Sequence, residues 1–127
     1  MIFSLAVYAA PYSSQASHTA YEFASALLRQ GHTLHRVFFY HDGVHTASSL
    51  ATPPQDEFNL YQAWSSLAAK YDLVICIAAA LKRGILNSEE AVRYDKPAHN
   101  IADDYSISGL GQLIEAAITS DRIVTFG

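Results

Sequence analysis

Four short stretches of the chain are almost continuously apolar: IFSLAVY (2–8), LHRVFFY (34–40), LVICIA (73–78) and RIVTF (122–126). Unbroken hydrophobicity of strand length, rather than clean in–out alternation, marks strands covered on both faces, as in a parallel sheet. A weaker fifth candidate surrounds Ile101 in HNIAD. Between these runs the period changes to that of a helix. Ala20, Phe23, Ala24, Leu27 and Leu28 recur at i, i+3, i+4, i+7 and i+8, and Gly31 stands just past the expected end. A second helix is expected to start at TPPQ. Thr52 would be its cap and Pro53 its first residue, with Gln55 at capping-box spacing. Phe58, Tyr61, Trp64, Leu67 and Ala68 would form its apolar stripe. A short helix is expected around 88–93, and a last one carries Leu110, Leu113, Ile114, Ala117 and Ile118 on one face.

The order is βαβαβ, an irregular stretch, then αβ. Such alternation predicts an α/β fold: an open, mainly parallel sheet flanked by helices, with right-handed crossovers. A chain of 127 residues without repeat, low-complexity segment or linker is expected to form one domain, residues 1–127, with a substantial core.

Composition narrows the function classes. Half the residues are hydrophobic and 16% are charged, which excludes a disordered chain. A net charge of -4 gives no electrostatic reason to expect direct nucleic-acid binding. The low charge fraction, with eight tyrosines and six phenylalanines, suggests surface covered by partner subunits. A single cysteine cannot form an internal disulfide, so nothing points to an oxidising compartment. MIFSLAVYAAP has the look of a signal-peptide core, yet it lacks a basic start and its apolar run is strand-length. No run approaches the roughly 20 apolar residues that cross a bilayer. A soluble, cytoplasmic protein is expected.

Candidate chemistry centres on Cys76, in DLVICIAAALKRG (72–84). Sites of open α/β sheets gather at the carboxyl ends of strands, and Cys76 falls near that end of the third. Backbone N–H groups of the following turn, with Lys82 and Arg83 close by, would favour a thiolate. A lone cysteine in an apolar strand is more commonly an inert core residue, and the pattern alone leaves both readings standing. The six histidines do not suggest a metal site. His32 and His35 are spaced to point to opposite faces of a strand, and the glycine of HDGV argues for a loop rather than a helix that would align His41 with His45. Gly109 and Gly111 of SGLGQL make a lone G-x-G with no convincing strand before it, a weak phosphate signal. Asp103 and Asp104 read as a solvated turn, and neither a P-loop nor a G-x-S-x-G elbow is present.

Five segments, VFFYHDGV (37–44), TPPQDE (52–57), ICIAAALKRGI (75–85), ISGLGQLIEAAI (107–118) and DRIVTFG (121–127), together resemble the DsrE/TusD subunit of bacterial sulfur-relay complexes. The helix ASHTAYEFASALL fits as well, and the likeness runs in order over essentially the whole chain. Its most specific element is the cysteine followed by alanines and a basic pair before glycine. The resemblance implies a DsrE/F-like α/β fold and a persulfide on Cys76, with no metal or organic cofactor. It implies assembly with TusC/DsrF-type and TusB/DsrH-type subunits as a dimer of heterotrimers. It also implies a TusA-type sulfur donor and a TusE/DsrC-type acceptor. The sulfur would end as the 2-thio group of wobble uridine in tRNA or, in the Dsr counterpart, enter dissimilatory sulfur oxidation. TPPQD and SGLGQL resemble the Dsr side at least as much as the Tus side. A non-catalytic α/β scaffold subunit is the reading from another class. Lys82 and Arg83 stand either as electrostatic supports of the thiolate or as a docking surface for an acidic carrier. A relay cysteine is further expected to be at least partly exposed.

Overall fold

The computed structural model describes residues 1–127. Five strands, β1 (Ile2–Val7), β2 (Thr33–Phe39), β3 (Asp72–Cys76), β4 (Ser106–Ser108) and β5 (Arg122–Phe126), form one sheet in the order β4-β3-β2-β1-β5. Every neighbouring pair is parallel. The helices are α1 (Gln15–Arg29), α2 (Leu60–Ala68), α3 (Ile77–Leu81), α4 (Ser88–Arg93) and α5 (Gly111–Thr119), with a 3-10 helix over His41–Ala47. The predicted fold class is the observed one.

Register sorts the core into two faces. Leu5 pairs with Val37 and Val37 with Leu73, and Val7, Phe39 and Ile75 form the next layer. This face meets α1 and α2: the Trp64 ring lies edge-on to Phe39 at 5.4 Å and to Tyr21 at 5.2 Å. Burying such side chains away from water stabilises by about 1.5–3 kcal/mol each. Alternation places Ala6, Phe38, Val74 and, at the strand end, Cys76 on the other face.

The connections explain why two faces exist. The chain steps from β1 to β2, β3 and β4 in one direction, so right-handed crossovers put α1 and α2 on one side. The return from β4 to β5 runs the opposite way across three strands, and α5 packs against β1, β2 and β5 from the second side. The chain therefore leaves β3 toward one face and β4 toward the other. In an open α/β sheet the crevice at such a switch point is where ligands bind. Cys76 ends β3 there.

Three predicted elements are corrected. The second helix starts at Leu60, not at Thr52: Asn59 caps it by accepting from the Gln62 N–H at 3.1 Å. Residues preceding proline avoid the helical region, which disfavours Thr52 and Pro53 as helix. The segment is instead held from outside, because the Tyr12 hydroxyl donates to the Phe58 carbonyl and accepts from the Leu60 N–H. Ile101 belongs to no strand; it makes only an isolated antiparallel bridge with Ser48. The fifth strand is Ser106–Ser108, three residues that pair with Val74–Cys76, so SGLGQL does follow a strand. The third strand stops at Cys76, where α3 begins.

The last helix is turned outward relative to its predicted stripe. Leu113 and Ala116 face the core, whereas Leu110, Ile114 and Ile118 are 44%, 62% and 79% exposed. A polar cluster sets this rotation. Register skips His35 between Leu34 and Arg36, a bulge that lets two successive side chains reach Glu115 of α5. Buried Arg36 donates to Asp72 at 2.7 Å, to the Gln112 carbonyl at 2.9 Å and to Glu115. Hydrogen bonds from Thr119, His35 and Arg36 hold the Glu115 carboxyl at about 2, well below the usual carboxylate range.

A pKa depressed in the folded chain gives stability that is present above the unfolded value and lost as pH falls through the folded one. The window here runs from about 4.5 down to about 2. Glu115→Gln is expected to lower the urea midpoint at neutral pH, and the gap from wild type is expected to close as pH falls toward 2. Urea titrations at a series of pH values check this. A gap independent of pH would show that Glu115 contributes by packing alone.

Candidate active site

Cys76 is the last residue of β3 and the residue that precedes α3, with extended backbone (φ -64°, ψ 120°). The structure corrects the expectation of partial exposure: Cys76 is only 2% exposed. It is nevertheless not sealed in the core. It borders a cavity of about 280 Å³ whose wall also includes Tyr40, His41, Lys82, Arg83, Gly109 and Leu110. The ends of β2, β3 and β4 thus meet around one thiol at the switch point.

The two basic residues behind the cysteine divide. Arg83 donates to the Asp42 carboxylate at 2.8 Å and to the Ala79 carbonyl at 3.1 Å. It braces the end of α3 against the 3-10 helix, and its hydrogen bond holds the Asp42 carboxyl below its ordinary value. Lys82 lines the same cavity, and no carboxylate pairs with it. The free positive charge at the cavity therefore belongs to Lys82.

The 3-10 helix is fixed by close backbone approach. A Cβ built on Gly43 would stand 2.1 Å from the Val7 carbonyl oxygen, so only glycine fits. HDGV, expected as a loop, is helical, but with three residues per turn it does not align His41 with His45. His35 contacts Glu115 and His32 the N-terminal amine, so the two are apart, but His32 lies before β2 and His35 on its bulge, and strand alternation is not what separates them. No group of three or more His, Cys, Asp or Glu side chains is placed to hold a metal ion. Gly109 borders the cysteine cavity rather than a separate phosphate loop.

A larger cleft of about 430 Å³ lies at the start of α1, lined by Tyr12, His18, Asp56, Glu57 and Phe58 among others. His18 stacks on Phe58 at 4.7 Å there. That cleft holds no cysteine and lies away from the β3/β4 switch point, so the smaller cavity is the candidate site.

The model of the DsrE/DsrF-like family matches residues 1–126. The chain belongs to that family. It is 52% identical to the putative sulfurtransferase DsrE of Allochromatium vinosum, with 100% of this chain and 99% of that one covered. It is 49% identical to the sulfurtransferase TusD homolog of Pseudomonas aeruginosa, covering 100% and 98%. The TusD homolog of Vibrio vulnificus is 47% identical over 98% of this chain and 96% of its own. Among solved structures, the ychN protein of E. coli superposes with a TM-score of 0.77 over 98% and 97% of the chains. At 23% identity that likeness concerns the fold alone. No helix of this DsrE-family chain is long and apolar enough to cross a membrane.

His41 is the site residue that sequence reasoning missed. Its spacing to His45 raises it only as a metal ligand, and it stands 35 positions before the cysteine in the chain. Its place directly after a buried strand was the one available signal.

Proposed function

We propose that this chain is the persulfide-carrying subunit of a cytoplasmic sulfur relay, with Cys76 as the carrier and residues 1–127 as one relay domain. The chain is a sulfurtransferase of the DsrE/TusD kind. The observation that carries the proposal is the position of its single cysteine, at the end of β3, on a cavity at the switch point of a family-matched fold.

The reaction needs no cofactor. The Cys76 thiolate attacks the outer sulfur of a TusA-type donor persulfide, the donor's S–S bond breaks, and Cys76 becomes Cys–S–SH. A thiolate of a TusE/DsrC-type acceptor then attacks that outer sulfur and returns Cys76. Lys82, exposed and without a carboxylate partner on the wall of the Cys76 cavity, is placed either to support the thiolate or to dock an acidic carrier. Arg83 supports the site indirectly, by holding the 3-10 helix through Asp42.

TusC/DsrF-type and TusB/DsrH-type subunits are the proposed partners in a dimer of heterotrimers. The exposed Leu110, Ile114 and Ile118 of α5 supply apolar surface that such a contact would cover. The proposed destination of the sulfur is the 2-thio group of wobble uridine in tRNA, reached through the acceptor and not by direct nucleic-acid binding. The 52% identity to an Allochromatium DsrE favours a second reading, the same relay serving sulfur oxidation.

Intact-mass measurement after incubation with a persulfide donor tests the carrier role. One added sulfur on Cys76, removed by reductant, is the expected result. Failure to load from any donor, alone or with the partner subunits, would return the chain to a scaffold role.

A further inference from the structure

His41 sits in the cysteine cavity in a way that the relay assigned to Cys76 does not itself account for. Its backbone is in the left-handed region (φ 48°), uncommon for residues other than glycine, though histidine enters it more readily than most. The ring stacks on Tyr40 at 4.1 Å and meets the Tyr8 ring edge-on at 5.3 Å, so two aromatic side chains set its orientation. Two residues on, Gly43 is wedged against Val7.

The imidazole is also free. His18, His32 and His35 are each bound to Glu22, the N-terminal amine or Glu115. No such partner engages His41, which is exposed and lines the wall that Cys76 also lines. The titratable and charged groups around it are Tyr8 after β1, Tyr40 after β2, Cys76 on β3, Lys82 and Arg83 beyond α3, and Asp42 and His45 of its own 3-10 helix. The residues that α5 and its approach bring to the cavity, Gly109 and Leu110, carry no charge. Lys82 supplies positive charge and Asp42 is committed to Arg83, which leaves His41 as the group suited to move a proton at this cavity.

We propose that His41 is the general acid–base of the transfer site, an assignment that rests on the relay reading of Cys76. As Cys76 Sγ attacks the outer sulfur of the donor persulfide, the thiol proton passes to His41. The Sγ–S bond forms, the donor S–S bond breaks, and the electron pair leaves on the donor's inner sulfur. His41 returns the proton to that thiolate, so the donor leaves as a thiol and nothing is oxidised or reduced overall. In the second half the same ring takes the acceptor's thiol proton and returns one to Cys76.

Two variants separate this role from folding. Asparagine and glycine both tolerate the left-handed backbone, so His41→Asn and His41→Gly remove the ring without adding strain. Two rates are read on the purified chain from about pH 5 to about 9, across the range where imidazoles titrate. They are loading of Cys76 from glutathione persulfide and alkylation of Cys76 by iodoacetamide. The wild-type profiles are expected to carry an inflection in the imidazole range that both variants lose. Loading by the variants should fall about 100-fold near neutral pH, and free imidazole should restore part of it in His41→Gly. Thermal unfolding should show a single transition close to the wild-type midpoint, lowered only by the lost ring contacts. Folded variants with wild-type profiles in both assays would overturn the proposal, and so would loss of the fold in both variants. If wild-type Cys76 accepts no sulfur at all, the relay reading falls separately, while the alkylation profiles still decide whether His41 governs the thiol.

Discussion

Cys76→Ser is expected to give a folded, assembling chain that transfers no sulfur. Serine has nearly the volume of cysteine, but its oxygen does not accept and hand on a sulfane sulfur. The chain holds no second cysteine to take over. The structural cost is larger than for a surface thiol because Cys76 is 2% exposed. A hydroxyl placed there without a partner costs about 1–3 kcal/mol, and the adjoining cavity offers room for water to lower that figure. Cys76→Ala is the companion variant, since it removes the sulfur without adding a polar group. Thermal unfolding, binding to co-expressed partner subunits and transfer of labelled sulfur to the acceptor are measured on one preparation. Substantial residual transfer by either variant would show that Cys76 is not the carrier.

Gly43→Ala should produce the largest loss of stability among alanine substitutions of the chain's glycines. The new Cβ would lie 2.1 Å from the Val7 carbonyl oxygen, which is backbone and has no rotamer to escape into. That oxygen also accepts the Tyr40 N–H at 3.0 Å, so relief by displacement breaks the hydrogen bond joining the end of β1 to the end of β2. Overpacking typically costs about 1–3 kcal/mol, and a clash with backbone falls at the upper end of that range. Because His41 opens the same 3-10 helix, the cavity beside Cys76 should distort as well. A lower urea midpoint with slower loading of Cys76 is the expected pair of results. Gly111→Ala is the control: a Cβ there meets nothing within 4 Å, and alanine in place of glycine in a helix stabilises by up to about 1 kcal/mol. Equal effects of the two substitutions would mean that the Val7 contact relaxes freely.

The amino-acid sequence by itself determined the elements that local pattern controls. Four apolar runs lie on four strands, because burial on both faces demands continuous hydrophobicity whatever the partner strand is. Helix α1 ends where Gly31, at φ 84°, supplies the left-handed turn. The short helix at Ser88–Arg93 was legible too, capped by the Asn87 side chain on the Glu90 N–H. Alternation of strand and helix, with the handedness of crossovers, was enough for an open parallel sheet, and it placed Cys76 at a carboxyl end. The tertiary structure decided everything that depends on groups distant in sequence. Strand β4 is three residues long and exists because β3 offers it a ladder, a signal too short for any periodicity. Helix α2 begins at Leu60 since Asn59 caps it and Tyr12, from the far side of α1, ties down the residues before it. The outward turn of α5 follows from Arg36 and His35 meeting Glu115 some eighty positions later. About half that separation lies between Asp42 and Arg83 and between His41 and Cys76. A lone cysteine and a lone histidine carry no mutual pattern along the chain; only the parallel ladder, which sets the ends of β2 and β3 side by side, brings them to one cavity.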